Sequence, residues 1–159
     1  MEKIVIRPVS SNDVHDIQKY CFVWNTLEEV EQRISDNIDN QNNNSIIQYV
    51  AEVDGQIVGT MMLVKEDHQL YAHRCGLFDV VVAGAYQGKG IARKIFEQCI
   101  DYCKNNNIRI ITVSERGGEP AEQVYSNLGF VEYGRLKNGI IESWSDNKEY
   151  DEVFLCYTV

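Results

Sequence analysis

Apolar residues recur at two spacings in the first third of the chain, and the spacing predicts strands or helices. Residues 4–8, IVIRP, alternate as a short strand does. Residues 10–21 carry apolar side chains at helical spacing after a Ser/Asn/Asp start signal. A second helix opens at Thr26, where Glu29 completes a capping-box pattern. The amide-rich run 37–44, NIDNQNNN, is expected to end that helix in a loop.

The middle of the chain predicts a hairpin, then a strand followed by a long helix. Two apolar runs flank Asp54-Gly55, a dipeptide that favours a tight β-hairpin. Residues 70–82 are predicted to form one long strand. From residue 91 the apolar positions follow i, i+4 rows, which indicates a helix packed on a sheet, and residues 105–107 are expected to end it.

The last third predicts a strand, a helix and a closing pair of strands. Residues 108–113, IRIITV, form the first of these strands. Pro120 suits the first turn of the helix and Gly129 its left-handed end. A turn at Asn138-Gly139 and an alternating strand, YDEVFLCYTV, follow. Because neither a repeat nor a linker interrupts the pattern, we expect one domain over residues 1–159, of the mixed α/β class.

Composition and charge exclude several classes of protein. A chain of 159 residues with 44% hydrophobic content can bury one core. It lacks both a membrane-spanning run of about 18 to 20 uncharged apolar residues and a signal-peptide core, so a cytoplasmic protein without a membrane partner is expected. A net charge of −9 argues against nucleic acid and is compatible with a cationic small molecule. The five cysteines lack metal-ligand spacing, so we predict buried thiols and no metal site.

A glycine-rich stretch before the long helix is the first candidate for chemistry. Gly88 and Gly90 flank Lys89, directly before the helix that begins near Ile91. Orphan backbone N–H groups and the helix dipole make such a junction an anion site. The stretch does not fit a P-loop, because the glycine spacing is one residue short and Gly90 replaces the hydroxyl residue. It does not fit a dinucleotide fingerprint, because Arg93 stands where a small residue is needed.

Two motifs at a typical separation resemble the GNAT superfamily of N-acetyltransferases. Residues 87–92, QGKGIA, are similar to the family signature Q/R-x-x-G-x-G/A, with Gln87, Gly90 and Ala92 on its defining positions. Residues 125–130, YSNLGF, are similar to the Tyr-x-x-x-Gly-Phe motif downstream of it. The order of elements also resembles that fold over nearly the whole chain.

The resemblance implies a GNAT-like acyl-CoA N-acyltransferase fold. Its central sheet is mostly antiparallel, splays between two parallel strands, here 72–82 and 108–113, and is flanked by about four helices. The cleft between these strands would bind acetyl-CoA as co-substrate, with backbone N–H groups of residues 87–92 on the pyrophosphate. Lys89 either adds charge there or is a solvated loop lysine. The implied cofactor-binding residues are Val80, Val82, Gln87, Gly88, Lys89, Gly90, Ile91 and Ala92.

Acetyl transfer to an amine needs a base for the ammonium group and an acid for the departing thiolate. Tyr125 matches the tyrosine of the family motif, which implies that it donates to the thiolate; the alternative is a core tyrosine. Asp79, on the strand beside the acetyl position, is the first candidate for the base, acting through water. It could instead be a structural acceptor, and His73 and Glu52 on neighbouring strands compete with it.

The acceptor is expected to bind where aromatic and acidic residues of the first two helices and the late strands meet. The alternative for each of them is ordinary surface of an acidic protein. Trp24, Glu28 and Trp144 are the predicted substrate-binding residues, within a wider set that includes Phe22, Glu142, Asp146 and Glu149.

The function that the resemblance implies is direct acetyl transfer from acetyl-CoA to a primary amine of a small, cationic molecule. Two alternatives stay open at this point. One is a non-catalytic acyl-CoA-binding or regulatory module, and the other is an enzyme that modifies peptide or protein N-termini or lysines. The resemblance also favours a homodimer.

Overall fold

The computed structural model describes residues 3–159, in which helices pack on one seven-stranded sheet. The strands are β1 (Ile4–Pro8), β2 (Ile46–Val53), β3 (Gln56–Lys65), β4 (Arg74–Val82), β5 (Ile110–Arg116), β6 (Val131–Glu142) and β7 (Lys148–Thr158). The helices are α1, which joins the turns Ser11–Asp13, Val14–Asp16 and Ile17–Cys21, then α2 (Leu27–Asn42), α3 (Ile91–Asn105) and α4 (Pro120–Leu128).

The sheet order is β1-β2-β3-β4-β5-β7-β6, and every neighbouring pair is antiparallel except β4 with β5. That parallel pairing is short and ends at Gly76↔Thr112. Beyond this point β4 and β5 diverge, and a β-bulge at Asp79, whose φ is 53°, bends β4. The mixed sheet with a splayed parallel pair confirms the predicted fold class.

The apolar residues form two buried clusters, one on each face of the sheet. The larger cluster packs α3 and α4 on the central strands around Phe96, and the smaller packs α1 and α2 around Ile17 and Ile34. Neighbouring residues of β2 point to opposite faces, so that Val50 joins the smaller cluster and Ala51 the larger. Each helix thus covers the sheet, and none of those described has the length and apolarity that crossing a bilayer requires.

The structure contains the helix caps and the hairpin turn that the sequence predicts. Thr26 Oγ1 accepts a bond of 3.2 Å from the Glu29 N–H, and Glu29 Oε2 accepts one of 2.9 Å from the Thr26 N–H, which confirms the capping box. Asp54 and Gly55, with φ of 49° and 86°, form the turn between β2 and β3. Gly129, with φ of 105°, closes α4 in the left-handed conformation.

The predicted amide-rich loop is wrong, because α2 continues to Asn42. Asn37 is buried inside the helix, and its Nδ2 donates to Gln48 Oε1 at 2.9 Å. This partner on β2 satisfies an amide that would otherwise favour a solvated turn. The connection to β2 is therefore limited to residues 43–45.

The strand predicted over 70–82 begins only at Arg74, and residues 69–71 form a 3-10 turn. His68 explains the difference, because its Nδ1 accepts a bond of 3.2 Å from the Leu70 N–H and caps that turn. The strand predicted over 108–113 is displaced in the same direction, to Ile110–Arg116.

The predicted turn at Asn138-Gly139 is also wrong. The two residues lie inside β6, where the register shifts between Leu136 and Ile140, and the Asn138 N–H donates to Asp151 Oδ1 at 3.1 Å. A side chain of the neighbouring strand thus stabilises a bulge instead of a reversal. The chain turns later, at residues 143–147.

Candidate active site

The connection between β4 and α3 presents glycine backbone at the N-terminus of α3. Gly88 and Gly90 have φ of 75° and 78°, and Gly90 is the N-cap residue of the helix. This left-handed conformation favours glycine, since a side chain there is strained. A Cβ on either residue would meet no described atom within 4 Å. The space in front of the loop is therefore open to a ligand.

Backbone amides at this junction suit an anion. The N–H groups in the first turn of α3 have no acceptor within the helix, and they lie at the positive end of its dipole. Gln87 differs, because its N–H donates to the Gly84 carbonyl at 3.3 Å and its Nε2 to the Val82 carbonyl at 3.0 Å. Gln87 thus shapes the loop, and the expected amide donors begin at Gly88.

A cavity of about 620 Å³, here called the loop cavity, opens between this connection and α4. It brings together Tyr125 and every predicted cofactor residue except Lys89. The Lys89 Nζ instead lies 4.8 Å from the centre of the Tyr86 ring. The walls are Val80, Val82, Tyr86, Gln87, Gly88, Gly90, Ile91, Ala92, Arg93, Pro120, Ala121, Val124, Tyr125, Asn127 and Leu128.

The open edge of β4 forms one side of the loop cavity. Because the β4–β5 pairing ends at Gly76↔Thr112, the later residues of β4 lack a strand partner on that side within residues 3–159. Val82 pairs with Gly59 of β3 on the opposite side. An extended ligand arm could add to such an edge as a strand does.

Tyr125 and Ala121 line both the loop cavity and a second cavity. The Tyr125 side chain is 8% exposed, and its ring packs edge-on against Phe130 with centres 5.6 Å apart. Burial raises the pKa of Tyr125 to about 12, and the nearby negative charge of Glu115 adds to this. The phenol therefore stays protonated at neutral pH and can act as a donor.

The second cavity, here called the acidic cavity, has a volume of about 440 Å³. Trp144 lies at this cavity and is 82% exposed, while Glu142 is buried and forms an ion pair with Arg116. The complete wall is Glu115, Arg116, Glu119, Ala121, Tyr125, Ile140, Glu142 and Trp144. A cavity with several carboxylates and an exposed aromatic ring suits a cation.

Glu115 is the site residue that the sequence analysis missed. Both of its carboxylate oxygens are buried and have no hydrogen-bond partner among the described residues. Burial raises its pKa to about 7, the charge of Glu122 adds to the rise, and Arg116 opposes it. In the sequence the residue resembles the solvated end of a strand. One sequence signal for its burial was available. Glu115 follows Val113 by two residues and Ile111 by four, so strand alternation places it on the same buried face of β5.

Asp79, the predicted base, is held in an ion pair. Arg33 Nη2 of α2 donates to Asp79 Oδ1 at 2.5 Å. Burial raises the pKa of Asp79, and Arg33 opposes this rise. Among the described residues, Asp79 is in the wall of neither the loop cavity nor the acidic cavity.

The competing bases and most of the predicted acceptor residues lie apart from Tyr125. Glu52 Oε2 accepts a bond of 3.0 Å from Arg7, and His73 precedes the paired start of β4. Trp24 is 95% exposed, and Glu28 lies in a separate groove along α2. Phe22 is buried, and Asp146 and Glu149 lie in neither cavity among the described residues, so Trp144 and Glu142 alone of that set join Tyr125.

The cysteines do not add chemistry to either cavity. All five are free thiols, and four of them are buried. Within residues 3–159, no group of three or more His, Cys, Asp or Glu side chains could hold a metal ion.

The chain is similar to known acetyltransferases in sequence and in fold. Residues 11–130 match the model of the acetyltransferase (GNAT) family. Spermidine N(1)-acetyltransferase of Escherichia coli (strain K12) is 31% identical over 90 residues, which are 55% of this chain and 47%, about half, of that protein's length. The protein of that name from Vibrio cholerae is 26% identical over 150 residues, 92% of this chain and 82% of its own. The yncA structure from Salmonella typhimurium, solved with its cofactor acetyl-CoA, shares the fold with a TM-score of 0.82 at 17% identity, over 98% of this chain and 94% of that one.

Proposed function

This chain belongs to the acetyltransferase (GNAT) family, and we propose that it transfers an acetyl group from acetyl-CoA to a primary amine of a small, cationic molecule. The loop cavity carries the proposal, because it joins an anion-binding helix N-terminus to a buried proton donor, Tyr125. A second cavity with carboxylates meets it at the same tyrosine. Donor and acceptor sites on either side of Tyr125 are the arrangement that direct transfer requires.

The residues present fit acetyl-CoA. Backbone amides from Gly88 to Ala92 would hold the pyrophosphate, and the open edge of β4 at Val80 and Val82 would hold the pantetheine arm. Arg93 also lines the loop cavity, and its Nη2 donates to the Asn127 carbonyl of α4 at 2.5 Å. This bond fixes the distance between the two helices that bound the cavity. Bound acetyl-CoA supplies the activated acetyl thioester.

Tyr125 serves as the acid in this proposal. Negative charge develops on the sulfur as the C–S bond breaks, and a protonated phenol stabilises it by donating a hydrogen bond. Its pKa of about 12 keeps the proton on the tyrosine until that charge forms. A base is needed on the other side of the reacting carbonyl, and the sequence analysis assigned that role to Asp79.

Charge and relatives support the cationic acceptor. The chain carries a net charge of −9, and the acidic cavity adds local carboxylates where the acceptor would enter. Two proteins with similar sequences are spermidine N(1)-acetyltransferases, so a polyamine is the first acceptor to test.

The test is the rate of thiol release from acetyl-CoA with a panel of acceptors. The panel contains spermidine, simple diamines, neutral amines, and peptides with a free N-terminus or lysine. We expect the small polycations to react fastest, and Tyr125→Phe to lower that rate throughout the panel. Acetyl-CoA binding without thiol release would instead support a non-catalytic module, and faster reaction with peptides would support a protein-modifying enzyme.

A further inference from the structure

Glu115 is a carboxylate whose burial requires an explanation. Both oxygens are shielded from solvent and lack a hydrogen-bond partner among the described residues. A buried polar group without a partner is destabilising, and such groups concentrate at functional sites. Two other nearby carboxylates are paired, since Glu142 binds Arg116 and one oxygen of Glu122 binds Arg135 at 2.8 Å.

Glu115 lies just beyond the point where β4 and β5 stop pairing. Thr112 is the last residue of β5 that pairs with β4, and residue 115 follows where the strands have separated. The alternation of β5 turns its side chain to the face of Val113, which is buried beneath the helices. Glu115 shares the acidic cavity with Tyr125, and its charge raises the pKa of that phenol.

We propose that Glu115 is the catalytic base that takes the proton from the ammonium group of the acceptor, the role that the sequence pattern assigned to Asp79. The proposal rests on the proposed acetyl transfer. Arg33 engages Oδ1 of Asp79, while Asp79 Oδ2 is buried without a partner among the described residues, and Asp79 lies outside the acidic cavity. Glu115 lies within that cavity, and neither of its oxygens has a partner among the described residues. A cation that enters this cavity therefore meets Glu115 beside the proton donor.

The proton balance of the reaction is complete with these two residues. Glu115 accepts one proton from the ammonium group, which leaves a neutral amine. The amine nitrogen forms the C–N bond to the acetyl carbonyl carbon, and the C–S bond breaks. The sulfur takes a proton from Tyr125, and the new amide nitrogen returns its second proton to the tyrosine. Glu115 then releases its proton to water, so that each turnover yields amide, thiol and one proton.

The surroundings of Glu115 suit this role near neutral pH. Charged and titratable groups surround it on several elements: Arg116 on β5, Glu119 directly before α4, Glu122 and Tyr125 on α4, and Glu142 on β6. Its partner across the sheet on β7 is the uncharged Val153. Burial, and to a smaller extent the negative charge of Glu122, raise its pKa to about 7, and Arg116 opposes this rise. A base is most effective when its pKa lies close to the working pH.

The test compares Glu115→Gln with Asp79→Asn, using kcat/KM for the best cationic amine as a function of pH. In the wild type, log(kcat/KM) should rise to a break near pH 7, where Glu115 loses its proton. Glu115→Gln should lose about 10²- to 10⁴-fold at pH 7 and lose that break. Its activity should then climb about tenfold per pH unit toward the amine pKa of about 10, because only free amine reacts. Asp79→Asn should keep the break and lose less than about tenfold, the range expected without a proton-transfer role.

Two further measurements separate a catalytic role from a structural one. Acetyl-CoA affinity, measured by calorimetry, should match the wild type in Glu115→Gln. Formate should restore activity to Glu115→Ala, because a small carboxylate can replace the missing base. A wild-type rate and break in Glu115→Gln, or loss of the break in Asp79→Asn, would overturn the role of Glu115 alone. Absence of transfer by the wild type to every amine would overturn the proposed function as well.

Discussion

Replacing Gly90 with valine tests most directly whether residues 87–92 bind the pyrophosphate, because the structure provides a matched control. Gly90 has φ of 78°, Gly55 in the β2–β3 turn has φ of 86°, and a Cβ on either would meet no described atom within 4 Å. The folding cost of each substitution is therefore the left-handed backbone, about 1–2 kcal/mol. Branching at Cβ increases that cost at both positions alike. Gly90→Val and Gly55→Val should thus lower the melting temperature by similar amounts.

Only Gly90→Val should weaken acetyl-CoA binding. The valine side chain would occupy the open space in front of the loop and keep the pyrophosphate away from the amides of residues 88–92. Each lost hydrogen bond to a charged group costs about 1.5–3 kcal/mol, which corresponds to about a 10- to 150-fold rise in Kd. Calorimetry on the folded variants measures this rise directly. Wild-type affinity in Gly90→Val, or equal weakening in Gly55→Val, would refute the role of the loop.

Three further predictions concern the chemistry and the acceptor. Tyr125→Phe should lower kcat by about 10²- to 10⁴-fold with KM for acetyl-CoA nearly constant, and unchanged kcat under rate-limiting chemistry would make Tyr125 a packing residue. For the best acceptor, kcat/KM should fall as ionic strength rises, since salt screens attraction to a chain of net charge −9; an anionic acceptor or a rate indifferent to salt would contradict this. Trp144→Ala should raise the acceptor KM about 2- to 30-fold, the range of a cation–π contact, while Trp24→Ala, outside both cavities, should leave it unchanged. Equal effects of the two tryptophan variants would contradict an acceptor site in the acidic cavity.

Features set by neighbours in sequence were predictable from the sequence. The capping box at Thr26 and the left-handed end at Gly129 each depend on residues within one turn. The hairpin at Asp54-Gly55 is equally local, since both residues tolerate positive φ. The glycine loop was predictable from the sequence for the same reason, because its motif lies within residues 87–92.

Features set by distant partners were not predictable from the pattern. Asn37 is stable within α2 because Gln48 bonds it, and Asn138 lies in a bulge because Asp151 accepts its N–H. The alternation of β5 places Glu115 on its buried face, but the acidic cavity around it is formed with α4 and β6, whose positions no local signal encodes. The position of Asp79 on β4 predicts a base, whereas its ion pair with Arg33 depends on where α2 packs.

The proposed function depends on one step, the direct passage of an acetyl group from acetyl-CoA to an amine beside Tyr125. The most direct measurement quantifies free thiol, acetylated amine and acetylated protein by mass spectrometry in one reaction with the best acceptor, together with initial rates at varied concentrations of both substrates. Direct transfer predicts one acetylated amine per thiol released, no acetyl group on the protein, and intersecting rate plots that indicate a ternary complex. Thiol release without acetylated amine, or parallel plots with an acetylated protein, would contradict it.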